Sequence, residues 1–124
     1  MTEAQKVFSG CPVEVSLDVI GGKWKGVIVF HLLQGTQRFN QLQRLLPGIS
    51  QRVLTKQLRE LESHGLVVRT VHPVVPPHVD YALSDLGRQL APVIAELKVW
   101  GQAFLQAGGE PQRCDEAQWQ APNA

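Results

Sequence analysis

Residues 50–64 constrain the fold more than any other segment, because their side chains sort into a cationic edge and a leucine edge. At about 100° per residue, Arg52, Thr55, Lys56 and Arg59 share roughly 100° of arc, with Leu54, Leu58 and Leu61 gathered on the far side. The pattern predicts a helix seated by its leucines, with Ser50, Gln51, Arg52, Thr55, Lys56 and Arg59 turned outward. Such a helix fits a DNA major groove, where arginine grips guanine edges and lysine grips phosphates. Double-stranded DNA is the partner this edge predicts. Glu60 and Glu62 lie to either side of the basic arc and hold it to a narrow strip.

Charge supports the same reading once it is mapped along the chain. The net charge of +1 suggests no polyanion. Between Lys23 and His72, however, eight Lys or Arg face only Glu60 and Glu62, a local balance of +6. The flanks carry four basic residues against nine acids, a balance of −5. A basic middle between acidic ends is a directional field that draws a polyanion to one face.

The 124 residues, 44% hydrophobic, suffice for one domain with one modest core. No stretch approaches the roughly 20 apolar residues of a membrane span, and the first ten residues lack a secretory pattern. A cytoplasmic location with no membrane partner is the expectation. Cys11 and Cys114 stand near opposite ends without a CxxC spacing, which excludes a disulfide scaffold and a cysteine zinc site.

The order of elements can be read from breakers and periodicity. Residues 1–10 are expected to be flexible. A helix starts at Pro12, carries Val13, Leu17 and Ile20 on one side, and stops at Gly21-Gly22. A second runs from about Lys23 to Leu33, with Trp24, Val27, Ile28 and His31 at helical spacing. A short third helix opens at Arg38-Phe39-Asn40 and turns Leu42, Leu45 and Leu46 inward until Pro47-Gly48. Ser50 can cap the fourth, which ends at His64-Gly65. Two β-rich runs, Leu66–Thr70 and Val79–Leu83, flank a proline-rich loop and predict a hairpin with a protruding tip. Ser84 caps a last apolar stretch that Pro92 kinks or splits. Residues 107–124 are expected to form a disordered tail.

Helix, short helix, turn, recognition helix and hairpin is the order of a winged helix-turn-helix, a mainly α fold with a small β-hairpin. Three segments carry a closer likeness: CPVEVSLDVIGGKWK, RFNQLQRLLPGISQRVLTKQLRELESHGLV and VPPHVDYALSDLGRQLAPV. On them, the chain from about Cys11 to Phe104 resembles the HxlR-type transcriptional regulators of bacteria. The resemblance implies a homodimer on operator DNA, its interface built by the terminal helices.

Ser50 and Gln51 stand where recognition helices touch base edges, although Ser50 serves equally as a cap alone. Arg59, two turns along, suits a phosphate. Arg38 can reach a phosphate or pair with an acid, and Lys23 and Lys25 begin a helix whose positive end favours anions. Trp24 reads as core. Arg69 and His78 are the wing's candidates for a minor groove. His72-x5-His78, read with no acid or thiol nearby, is a weak metal signal, and no metal or cofactor is expected. His31 reads as a packed residue and His64 as a helix-end residue. Cys11 sits at a helix start, and the resemblance makes it a candidate sensor of oxidants or electrophiles. An oxidant or small-molecule effector is therefore left open, and Cys114 is a candidate resolving thiol.

A stripe of Leu90, Val93, Ile94, Leu97, Trp100 and Phe104 exceeds what so small a core can cover. Packing it against Val13 and Leu17 of a second copy would remove it from water. No Ser-His-Asp set, paired carboxylates, Walker loop or GxGxxG is present, so no enzyme is expected. Two other readings share this outline: a winged-helix module that binds only protein, and a small redox enzyme using Cys11.

Overall fold

The computed structural model describes residues 10–108. Elements follow in the order α1 (Pro12–Ile20), α2 (Lys25–Leu32), β1 (Gln37–Arg38), α3 (Phe39–Leu45), α4 (Gln51–Ser63), β2 (Val67–His72), β3 (His78–Leu83), α5 (Asp85–Arg88) and α6 (Ala91–Gln106). Residues 1–9 and the segment 109–124, with Cys114, lie outside the described residues.

Local chemistry sets most of these boundaries. Proline occupies the first turn of α1 and of α6, where its missing N–H costs nothing. Pro92 thus divides the last apolar stretch into α5 and α6. Ser50 Oγ accepts the Val53 amide at 3.1 Å and starts α4. Gly48, at φ +87°, gives the turn between α3 and α4 a left-handed residue without Cβ strain. Turn residues after Gly21 delay α2 to Lys25, so Lys23 precedes that helix instead of opening it.

The strands form one antiparallel sheet in the order β1-β3-β2. Val67 pairs with Leu83 and His72 with His78 at the two ends of the hairpin. The hairpin was expected; its third strand was not. Gln37 and Arg38 pair with Tyr81 and Asp80, and two residues are too few to show a period. Alternation gives the sheet two faces. Val67, Tyr81 and Leu83 turn toward the helices and are buried, whereas Thr70, His72, His78 and Asp80 share the other face.

The core gathers Ile20, Ile28, Val29, Leu32, Leu42, Leu46, Ile49, Leu54, Leu58, Leu61, Leu66 and Ile94 between the helices and the sheet. Two expectations are corrected here. Leu45 is exposed, because Leu42 and Leu46, four residues apart, already fill the inward ridge of α3. Ile94 is 7% exposed and belongs to the subunit's own core, with Leu90 packed against it. These two are therefore less available to a partner than the rest of their stripe.

Candidate nucleic-acid interface

Leu54, Leu58 and Leu61 hold α4 against the core at 0–1% exposure. Burying three such side chains contributes roughly 1.5–3 kcal/mol each, which fixes the roll of the helix. The opposite face is left to Gln51, Arg52, Lys56 and Arg59, all exposed. The three cations make no ion pair with any described residue. An exposed face with unneutralised guanidinium and ammonium groups, presented on a firmly seated rod, can take a polyanion. Thr55 is less free. It is half-buried, and its hydroxyl donates to the Gln51 carbonyl at 2.8 Å.

Lys25 takes a different place from the one its position in sequence suggests. Its side chain is 13% exposed and its Nζ lies 2.5 Å from Glu60 Oε1. It ties α2 to α4, and so orients the cationic helix instead of offering charge to solvent. Lys23 is exposed, with its ammonium 4.9 Å from the ring centroid of Trp24, which is packed on the core as expected. Arg38 precedes α3, where its own amide donates to Gln41 Oε1 at 2.8 Å. Its guanidinium Nε stands 3.9 Å from Asp80 Oδ1 and is more than half exposed. Arg44, on α3, is another exposed cation; the charge map contained it, but helical periodicity gave no reason to single it out.

The two wing candidates do not come together. Arg69 pairs in register with Tyr81, whereas His78 belongs to the alternate set, so they leave opposite faces of the sheet. His78 stacks on His72, ring centroids 4.6 Å apart. His72 Nε2 meets Asp80 Oδ2 at 2.8 Å. The expectation of no nearby acid is therefore corrected. Asp80 lies two residues beyond His78, and a strand's period of two places both on one face. Val74 and Val75 at the tip between the strands are exposed.

His31 is partly covered on α2 and meets Phe30 edge-on at 5.2 Å. Desolvation by burial holds its imidazole below the ordinary histidine value. Cys11 is exposed at the N-cap of α1. On the same helix Val13 and Leu17 are exposed, and on α6 so are Val93, Leu97, Trp100 and Phe104, the last two rings stacked at 5.4 Å. No described helix is long and apolar enough to cross a membrane.

The HxlR-like helix-turn-helix family model matches residues 19–108. The chain is 54% identical over 97 residues to the HTH-type transcriptional regulator YdeP of Bacillus subtilis, covering 78% of this chain and 76% of YdeP. A regulator from Methanothermobacter thermautotrophicus is 46% identical over 94 residues, 76% of this chain and 72% of its own. Among solved structures, the redox regulator HypR in its reduced form superposes with a TM-score of 0.75 at 49% identity, covering 78% of this chain and 96% of that one. The reduced transcriptional regulator YodB of B. subtilis gives 0.70 at 34% identity, covering 82% and 100%. With its leucine-seated cationic helix, its turn and its wing, this chain belongs to the HxlR-like helix-turn-helix family and is a DNA-binding transcriptional regulator.

Proposed function

We propose that the protein acts as a homodimer on a pseudo-palindromic operator. Gln51, Arg52 and Lys56 read the major groove, with Ser50 and Thr55 at its margin, and Lys23, Arg38 and Arg59 contact phosphates. Arg69 or His78 braces the flank through the wing. The observation that carries this reading is the exposed, unpaired cationic face of α4 opposite three buried leucines. Two such helices related by a twofold axis meet half-sites one helical turn, or a multiple, apart.

Dimerisation follows from solvation. Val13, Leu17, Val93, Leu97, Trp100 and Phe104 leave an apolar surface on α1 and α6 that a monomer does not cover. A second copy is the occupant that also supplies the symmetric pair of reading helices.

Cys11 is exposed beside this surface, and a similar structure is described as the oxidised form of redox regulator HypR. We infer that Cys11 is the sensing thiol. Two Cys11 thiols from partner protomers would form one S–S bond, giving up two protons and two electrons to an oxidant. Selection of genomic fragments by the protein, sequenced with and without oxidant, tests both points. A recurring inverted repeat whose recovery changes with oxidant, and no longer does so in Cys11→Ser, is expected. Recovery without sequence preference would refute operator reading, and an unchanged oxidant response in Cys11→Ser would refute the sensor.

A further inference from the structure

We propose that His72, His78 and Asp80 form a binding site for a divalent transition-metal ion of the zinc class on the outer face of the wing. One ligand atom from each residue lies within 4.8 Å of the other two. His72 and His78 are the terminal pair of the β2–β3 ladder, and Asp80 is the next residue on the same face of β3. Backbone hydrogen bonding across the hairpin therefore places all three donors, so little order remains to be gained when an ion enters.

The donor set selects the ion. Two imidazoles and one carboxylate suit zinc, cobalt, nickel or copper, whereas calcium and magnesium require oxygen donors. Zinc bonds of about 2.0–2.2 Å in tetrahedral arrangement set neighbouring donors somewhat more than 3 Å apart. His72 Nε2 and Asp80 Oδ2, at 2.8 Å, need only a small spreading rotation to admit an ion between them. The stacked histidine rings, 25° from parallel, can bring nitrogens to one shared edge. All three residues are half-buried, covered enough to hold an ion and open enough to leave water its fourth position.

A supporting contact is also in place. Asp80 turns its other oxygen, Oδ1, toward Arg38 Nε at 3.9 Å. Such outer partners orient a ligating carboxylate, and at this distance the effect is weaker than that of a direct ligand. Binding would close the root of the loop 73–77, because the ligands come from both strands that carry it. A close His–Asp contact beside a histidine stack also serves the sheet without an ion, and the experiment separates the two.

The tag-free full-length chain, stripped with chelator, is titrated with Co²⁺ and followed by its visible d–d absorption, then challenged with Zn²⁺. One Co²⁺ per chain in a tetrahedral spectrum, displaced by Zn²⁺, is expected. His78→Ala and Asp80→Asn should each weaken binding at least tenfold, Arg38→Gln by a smaller factor, and Cys11→Ser and His31→Gln should leave it unchanged. Circular dichroism verifies folding, and His72→Asn supplies a separate ligand loss if either ligand variant loses its helices. Absence of the cobalt spectrum, or affinity unaltered by loss of a histidine ligand, overturns the site. A spectrum lost only in Cys11→Ser overturns it as well, by locating the ion elsewhere.

Discussion

Arg52 stands in the first turn of α4, exposed and without a described ion pair, where a side chain reaches base edges instead of the sugar-phosphate rail. Arg52→Ala should therefore cost roughly 1–3 kcal/mol of operator binding and relax preference at one base pair. Binding isotherms on the operator and its single-base variants check this; an equal loss on every sequence would move Arg52 to a phosphate role. His31 makes a prediction of a different kind. Its imidazole is held below the ordinary value of 6.5 by burial, so the unfolded chain takes up a proton that the folded chain refuses. Stability is full above that value and falls as pH drops through it toward the depressed folded value. Denaturant midpoints measured across this range should decline toward acid, and His31→Gln should flatten the decline.

Among the elements, α4 owes its orientation to more than its leucines. The Lys25–Glu60 pair joins it to α2, and Ser84 and Gly87 fasten its C-terminal end. Ser84 Oγ donates to the Gly65 carbonyl at 2.6 Å and accepts the Gly87 amide at 3.0 Å. A Cβ on Gly87 would sit 2.3 Å from the Leu66 carbonyl oxygen, a backbone atom that cannot swing aside. Gly87→Ala should destabilise the fold by roughly 1–3 kcal/mol through overpacking, measured by urea denaturation. An unchanged midpoint would mean that α5 shifts freely against the turn after α4. These elements also show what sequence reading can and cannot reach. The caps at Ser50 and Ser84, the breaks at Gly21 and Pro92 and the β-rich runs of the hairpin are local chemistry, and they were legible. Strand β1 was not, because two residues acquire strand geometry only when Tyr81 and Asp80 are beside them. Lys25 was misplaced for the same reason: its partner is 35 positions away.

For the whole molecule, the exposed stripe on α1 and α6 predicts assembly. Trp100 is 66% exposed and Leu97 54%, and each contributes roughly 1.5–3 kcal/mol when buried. Leu97→Glu with Trp100→Glu should yield monomers in sedimentation velocity while the folded signal of each subunit persists. Operator affinity should fall with them, since two linked reading heads become independent. If a dimer neutralises about eight phosphates, log affinity should fall against log salt with a slope near −7. A slope half as steep would mean that one subunit alone meets DNA.

Helical period, capping and proline placement act between residues a few positions apart, so the chain alone determined its helices, its hairpin and the cationic edge of α4. The choice of which cations face water, which stripe residues enter the core and which acid meets the wing histidines required the elements to pack. Those outcomes depend on partners brought near only by folding: Glu60 neutralises Lys25, the core absorbs Ile94, and the sheet sets Asp80 beside His72. Burial and charge pairing are properties of neighbours in space, and tertiary structure supplies those neighbours.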